Sequence, residues 1–164
     1  MPTPRFLCDR MFVRLGRYLR AAGYDTLIAA DGAEDRALLA QARREHRLLV
    51  TGDRELALHA RAPGHVLVLS STGVASAAAE LSRQVPIDWL AHSFTRCLLC
   101  NARLRRAPAG ALERVPRESR QLAGELWECP ACGRLYWEGS HVRRMRGCLR
   151  RWQEASSEVA SSPS

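Results

Sequence analysis

Leu48-Leu49-Val50-Thr51-Gly52-Asp53-Arg54-Glu55-Leu56 decides the fold. Three apolar residues, too short a run for a helix, stop at Thr51 and turn through Gly52-Asp53. A stretch with helical spacing around Arg54–Ala60 follows. A short apolar strand delivering into a helix is the building unit of a parallel α/β sheet. The same unit recurs on both sides. Upstream, Arg5–Cys8 reads as a first strand, and Met11, Leu15, Tyr18, Leu19 and Ala22 then recur at helical spacing until Gly23. Asp25–Ala29 reads as a second strand, followed by a helix over 34–46 with Leu38, Leu39 and Ala42 inward. Downstream, His65–Leu69 reads as a fourth strand, and Val74, Ala77, Ala78 and Leu81 mark a further helix.

This repetition leaves one acid after each of the first three strands or at the helix beyond it: Asp9, Asp35 and Asp53. Sites in open parallel sheets form outside the carboxyl ends of the strands. Carboxylates gathered there repel one another unless a cation is present. Mg²⁺ or Mn²⁺ is the natural occupant, because hard divalent ions prefer oxygen ligands and promote phosphodiester chemistry. The same positions are favoured helix N-caps, so capping alone would also place an Asp at each. Asp31 and Glu34 stand beside Asp35 as alternative working acids. No Ser-His-Asp or Cys-His arrangement emerges, and His46, His59, His65 and His92 are isolated.

Beyond a connector over 86–95, the character of the chain changes. Cys97-Leu98-Leu99-Cys100-Asn101 and Cys129-Pro130-Ala131-Cys132-Gly133 are two Cys-x-x-Cys knuckles separated by 28 residues. Each tight turn points two sulfurs at one metal edge, and two such turns complete a tetrahedron around Zn²⁺. With four thiolates the site is closed, hence structural. Cys8 reads as a small core residue, and Cys148 receives no role. Residues 107–124, rich in Ala, Gly, Pro and charge, read as a loop. The expected division is 1–85, an α/β domain; 86–95, a connector; 96–152, a zinc module with a basic end; and 153–164, a Ser-rich disordered tail.

The chain has 164 residues and a net charge of +8, and every basic residue counted among its 25 is arginine. Residues 1–95 carry 12 arginines against 10 acids, and residues 96–164 carry 13 against 7. The excess points to an anionic partner, nucleic acid being the commonest candidate, attracted most strongly by the C-terminal part. Arg10, Arg14 and Arg17 fall on one helix face next to Asp9, and Arg143, Arg144, Arg146, Arg150 and Arg151 form a second cluster with Trp152 available for base stacking. No apolar run reaches the ~20 residues that span a membrane. The opening residues lack the apolar core of a secretory leader, so a cytoplasmic location is expected. Oligomeric state is not legible.

These segments together resemble a known family. Phe6-Leu7-Cys8-Asp9, Leu15-Gly16-Arg17-Tyr18-Leu19-Arg20 with Gly23-Tyr24-Asp25, the 48–56 stretch, Arg96-Cys97, Val115-Pro116, Trp127-Glu128-Cys129, and Tyr136-Trp137 through Met145 are similar to the PIN-like RNase domain at the C-terminus of the worm Mut-seven exonuclease. In prokaryotes that domain occurs as a stand-alone protein with a fused zinc ribbon. The resemblance covers roughly residues 5–146. It implies a PIN-like parallel sheet sandwiched by helices, a small zinc ribbon, and metal-dependent hydrolysis of RNA. Asp9, Asp35 and Asp53 match the family's recurring acids, and Thr51 would orient the pocket by hydrogen bonding. Many PIN nucleases carry a further acid on the first helix, for which Met11–Ala22 offers no counterpart. The alternative is therefore a non-catalytic RNA-binding protein with a degenerate PIN-like domain.

Overall fold

The computed structural model describes residues 2–59 and 64–161. Ala60, at the end of an expected helix, and residues 162–164 of the expected tail lie outside them. Four short strands form a parallel sheet: β1 (Phe6–Cys8), β2 (Thr26–Ile28), β3 (Leu48–Thr51) and β4 (Val66–Val68), in the order β2-β1-β3-β4. The connections are α1 (Val13–Ala21), α2 (Asp35–Arg44) and α3 (Arg54–His59), with α4 (Val74–Gln84) after β4.

Side chains alternate across a strand, so the sheet feeds two apolar layers. Phe6, Cys8 and Val50 face one layer with Leu15, Leu19, Ala78 and Leu81. Leu7 and Leu49 face the other with Leu38, Ala42 and Leu56. Gly16 lets α1 lie close on the sheet, since a Cβ there would come within 2.9 Å of Ile28 Cγ1. The first helix begins later than its pattern predicts. Arg10–Phe12 form a 3₁₀ turn capped by Asp9. That turn points Phe12 into the core and leaves Met11 exposed, lying across Gly52.

The second part contains a three-stranded antiparallel sheet: β5 (Arg105–Arg106), β6 (Trp127–Glu128) and β7 (Leu135–Tyr136). Two 3₁₀ turns, Ala111–Arg114 and Arg117–Leu122, run through the expected loop. A long helix, α5 (Ser140–Ser161), then returns to the first domain and packs on α4 and α1. Where a disordered tail is expected from 153, this helix continues to Ser161. The cause is its anchorage, because Val142, Met145, Leu149 and Trp152 are buried and Gln153 Oε1 accepts from the Trp89 backbone N–H. Trp152 is therefore unavailable for base stacking. It packs against Tyr18 and Trp89 with centroids 4.7 and 5.1 Å away.

The connector is pinned as well. Trp89 is fully buried, its indole N–H donating to Ser82 Oγ and its backbone N–H accepted by Gln153 Oε1. One continuous hydrophobic cluster holds Phe6, Leu15 and Val50 of the first part together with Cys97, Leu98, Cys129, Tyr136 and Leu149 of the second.

Candidate functional site

The four cysteines converge. Cys97, Cys100, Cys129 and Cys132 present sulfurs that all lie within 4.8 Å of one another. Ideal tetrahedral zinc with Zn–S bonds of about 2.3 Å requires sulfurs roughly 3.8 Å apart, and Cys97 Sγ and Cys132 Sγ are 3.8 Å apart. The two knuckles are built alike. Asn101 N–H donates to Cys97 O at 3.0 Å and Gly133 N–H donates to Cys129 O at 2.9 Å. The residue after each second cysteine is left-handed, with φ of 65° at Asn101 and 72° at Gly133, which is why Asn and Gly occupy them. Tyr136 Oη accepts from Leu98 N–H and turns its own proton to Cys97 Sγ at 3.2 Å. Burial alone would raise the Cys97 thiol. The Tyr136 hydroxyl and nearby backbone amides outweigh burial and bring it down to about 7, which favours the thiolate that zinc needs.

This knuckle is joined to the parallel sheet by polar side chains that sequence reasoning did not single out. Arg20, buried on α1, donates from Nε to Thr26 O and from one terminal nitrogen to Leu98 O and Leu99 O. Asn101 Oδ1 accepts from Thr26 N–H at 3.0 Å, and its Nδ2 donates to Asp25 Oδ1 at 2.7 Å. Asp25 also accepts from Arg47 and Arg5. Burial would raise the Asp25 carboxyl, but these donors win and hold it well below the usual carboxylate range. An asparagine directly after the second cysteine of a knuckle was the available signal, because a left-handed residue there needs a special side chain.

The acids are arranged differently from the thiols. Asp9 and Asp53 follow the carboxyl ends of the adjacent parallel strands β1 and β3. Asp9 Oδ1 accepts from Met11 N–H at 2.9 Å and Oδ2 accepts from Gly52 N–H at 3.3 Å, linking the two strand ends. Asp53 Oδ1 accepts from Glu55 N–H at 2.8 Å and Leu56 N–H at 3.4 Å, while Thr51 Oγ1 accepts from Asp53 N–H at 3.1 Å. Thr51 is buried and shapes this turn. Asp35 is the exposed first residue of α2, and the N-cap before it, Glu34, makes no side-chain cap bond. Among the described residues the cysteines are the one group of three or more His, Cys, Asp or Glu whose ligand atoms come within 4.8 Å of one another. The three aspartates do not form such a group, and Asp9 and Asp53 serve as turn and helix caps.

The arginines divide into free and occupied. Arg10 pairs with Asp31 at 2.7 Å. Arg146 is held by Glu138 and Ser93 and lies 4.8 Å from the Phe94 ring centre, so its guanidinium is committed to the fold. Arg143 donates to Glu138 O, whereas Arg14, Arg17 and Arg144 are exposed. His141 is exposed and does not join the cysteines.

Residues 4–149 match the Mut7-C RNAse domain. The chain belongs to the Mut7-C RNAse domain family. No curated protein and no solved structure matches it. The Mut7-C match spans the parallel sheet, the cysteine cluster and the first half of α5, so the family unit includes both parts of the fold. Family membership makes this a ribonuclease-type domain, with RNA as the corresponding substrate. In this Mut7-C domain no helix among the described residues is long and apolar enough to cross a membrane.

Proposed function

We propose that the chain is a metal-dependent ribonuclease that hydrolyses RNA phosphodiester bonds at the carboxyl ends of β1 and β3. The observation that carries this reading is the placement of Asp9 and Asp53 at neighbouring parallel strand ends, the position where open α/β sheets form their sites. Neither Asp53 Oδ2 nor either Asp35 oxygen accepts a hydrogen bond from a described residue. Mg²⁺ commonly binds through one or two carboxylates and completes its shell with water and substrate phosphate, so a closed three-acid cage is not required. Asp53, with Asp9 and Asp35 as further ligands, would hold the ion. When bound, it supplies Lewis acidity toward water and the phosphoryl group. Thr51 fixes the turn that presents Asp53. The free arginines Arg14, Arg17 and Arg144 would hold phosphates, with Arg10, Arg143 and Arg146 secondary because of their existing partners. The four-cysteine zinc is structural. All six cysteines are unbridged.

A second reading has its own support. Both Asp9 oxygens and one Asp53 oxygen already accept backbone N–H groups, as they would in an RNA-binding protein whose PIN-like half no longer cleaves. Asp53→Asn is the discriminating variant, because a single amide oxygen retains both cap bonds. Asp9→Asn must surrender one acceptor and is less clean. Labelled RNA is incubated with Mn²⁺ and either the parent or Asp53→Asn. Cleavage by the parent and its loss in the variant supports the nuclease. Equal cleavage by both removes the acidic site. Binding without cleavage by either protein establishes the second reading.

A further inference from the structure

Between α1 and the zinc ribbon lies a cleft of about 520 Å³ that touches none of the aspartates discussed above. Its rim carries Arg14 and Arg17 from α1 and Arg134 from the second knuckle. None of the three forms an ion pair with a described residue, and no Asp or Glu lines the cleft. Its floor is apolar: Leu98 and Leu99 from the first knuckle, with Val142 and Met145 from α5. Leu99 is 47% exposed although it sits on a metal-knuckle backbone whose carbonyls are clamped by Arg20. Past Tyr18 and His141 the cleft opens into a shallower groove with Arg143, Arg144 and Arg151 and again no acid.

We infer that this cleft binds an unpaired RNA strand, with its bases on the leucine and methionine floor and its phosphates on the arginine rim. Unbalanced arginines bordering an apolar floor match a polyanion that also has flat apolar faces. A duplex buries those faces in its own stack and would leave the floor uncovered. A volume of about 520 Å³ is that of a small-molecule pocket, enough for one or two nucleotides rather than a helix. The strand would continue along α5 past Arg144 and Arg151. At its other end, α1 leads back to the turn capped by Asp9. The inference rests on the RNA reading above but not on cleavage. It gives the ribbon a share in substrate choice, through Arg134 and Leu99.

The test uses the full zinc-loaded chain carrying Asp53→Asn, without added Mg²⁺ or Mn²⁺, so that binding is read apart from cleavage. Fluorescence anisotropy compares a 5′-labelled single-stranded RNA of about twelve nucleotides with its duplex, across a salt series. The single strand should bind about tenfold tighter or better. Arg17→Ala and Arg134→Ala should each lower the slope of log affinity against log salt by about 0.7. Leu99→Ser should weaken binding about fivefold and leave that slope unchanged. Zinc content and circular dichroism matching the parent show that each variant is folded. Equal affinity for duplex and single strand overturns the inference, as do unchanged slopes in folded arginine variants. Competition by polyglutamate as effective as by RNA overturns it in favour of an acidic protein partner. None of these failures bears on whether the parent cleaves with Mn²⁺.

Discussion

Replacing Asn101 by alanine should destabilise the whole chain, although the residue belongs to the zinc knuckle and not to the parallel sheet. Asn101 is 8% exposed and caps the N–H of Thr26, which is fully buried at the edge of β2. Losing Oδ1 leaves that N–H unpaired in the interior, a cost of about 1–3 kcal/mol. Losing Nδ2 removes a hydrogen bond to the ionised Asp25, worth about 1.5–3 kcal/mol. Alanine at φ 65° adds roughly 1 kcal/mol of backbone strain. Partial relaxation and water entry would recover some of this, so we expect a loss of about 4 kcal/mol and a drop in thermal midpoint of about 10 °C. Asn101→Gly removes the same two bonds but tolerates the left-handed backbone, so it should be about 1 kcal/mol less damaging than Asn101→Ala. Urea titration followed by circular dichroism, in zinc-containing buffer, measures all three proteins. A loss below about 1 kcal/mol in the alanine variant would refute the coupling. So would a glycine variant weaker than the alanine one, or two separate transitions in the parent.

Further outcomes follow from the same contacts. Purified protein should carry about one zinc per chain, and because Cys97, Leu98 and Cys129 share a core with Phe6 and Leu15, chelation should lower a single transition of the whole chain; metal analysis showing none would remove the site. The Asp25 carboxyl is depressed in the folded chain, so its stabilisation is fully present above its ordinary value near pH 4 and is lost as pH falls through the lower folded value. Urea midpoints between pH 6 and pH 2 should therefore fall less steeply in Asp25→Asn than in the parent, a difference that separates this effect from acid release of zinc. Trp152→Ala should cost about 3–5 kcal/mol by calorimetry, since the ring is packed between Tyr18 and Trp89. A variant as stable as the parent would mean that α5 does not anchor the two parts.

The sequence by itself determined whatever local pattern controls. Apolar runs such as Leu48–Val50 and helical spacing after each of them give the parallel α/β sheet, because strand and helix periodicities are written in neighbouring residues. The two Cys-x-x-Cys knuckles give the cysteine cluster, because a tight turn with two thiols has few other uses. Relations between distant residues were settled only by the tertiary structure. Whether Asp9 and Asp53 face one another or cap their own turns depends on side-chain rotamers at strand ends, and spacing allows both. The free or occupied state of an arginine depends on neighbours such as Glu138 and Phe94, which separated Arg146 from Arg144 inside one basic run. The Ser-rich end looked disordered because its composition is polar, yet the helix that runs into it is held by Trp152 against Tyr18 and Trp89 and by Gln153 on the Trp89 backbone, partners that no local window contains. Arg20 reaches the Leu98 and Leu99 carbonyls, and Asn101 reaches Thr26 and Asp25, each across 75 residues of chain or more, so packing alone could reveal that the ribbon and the sheet are built as one body.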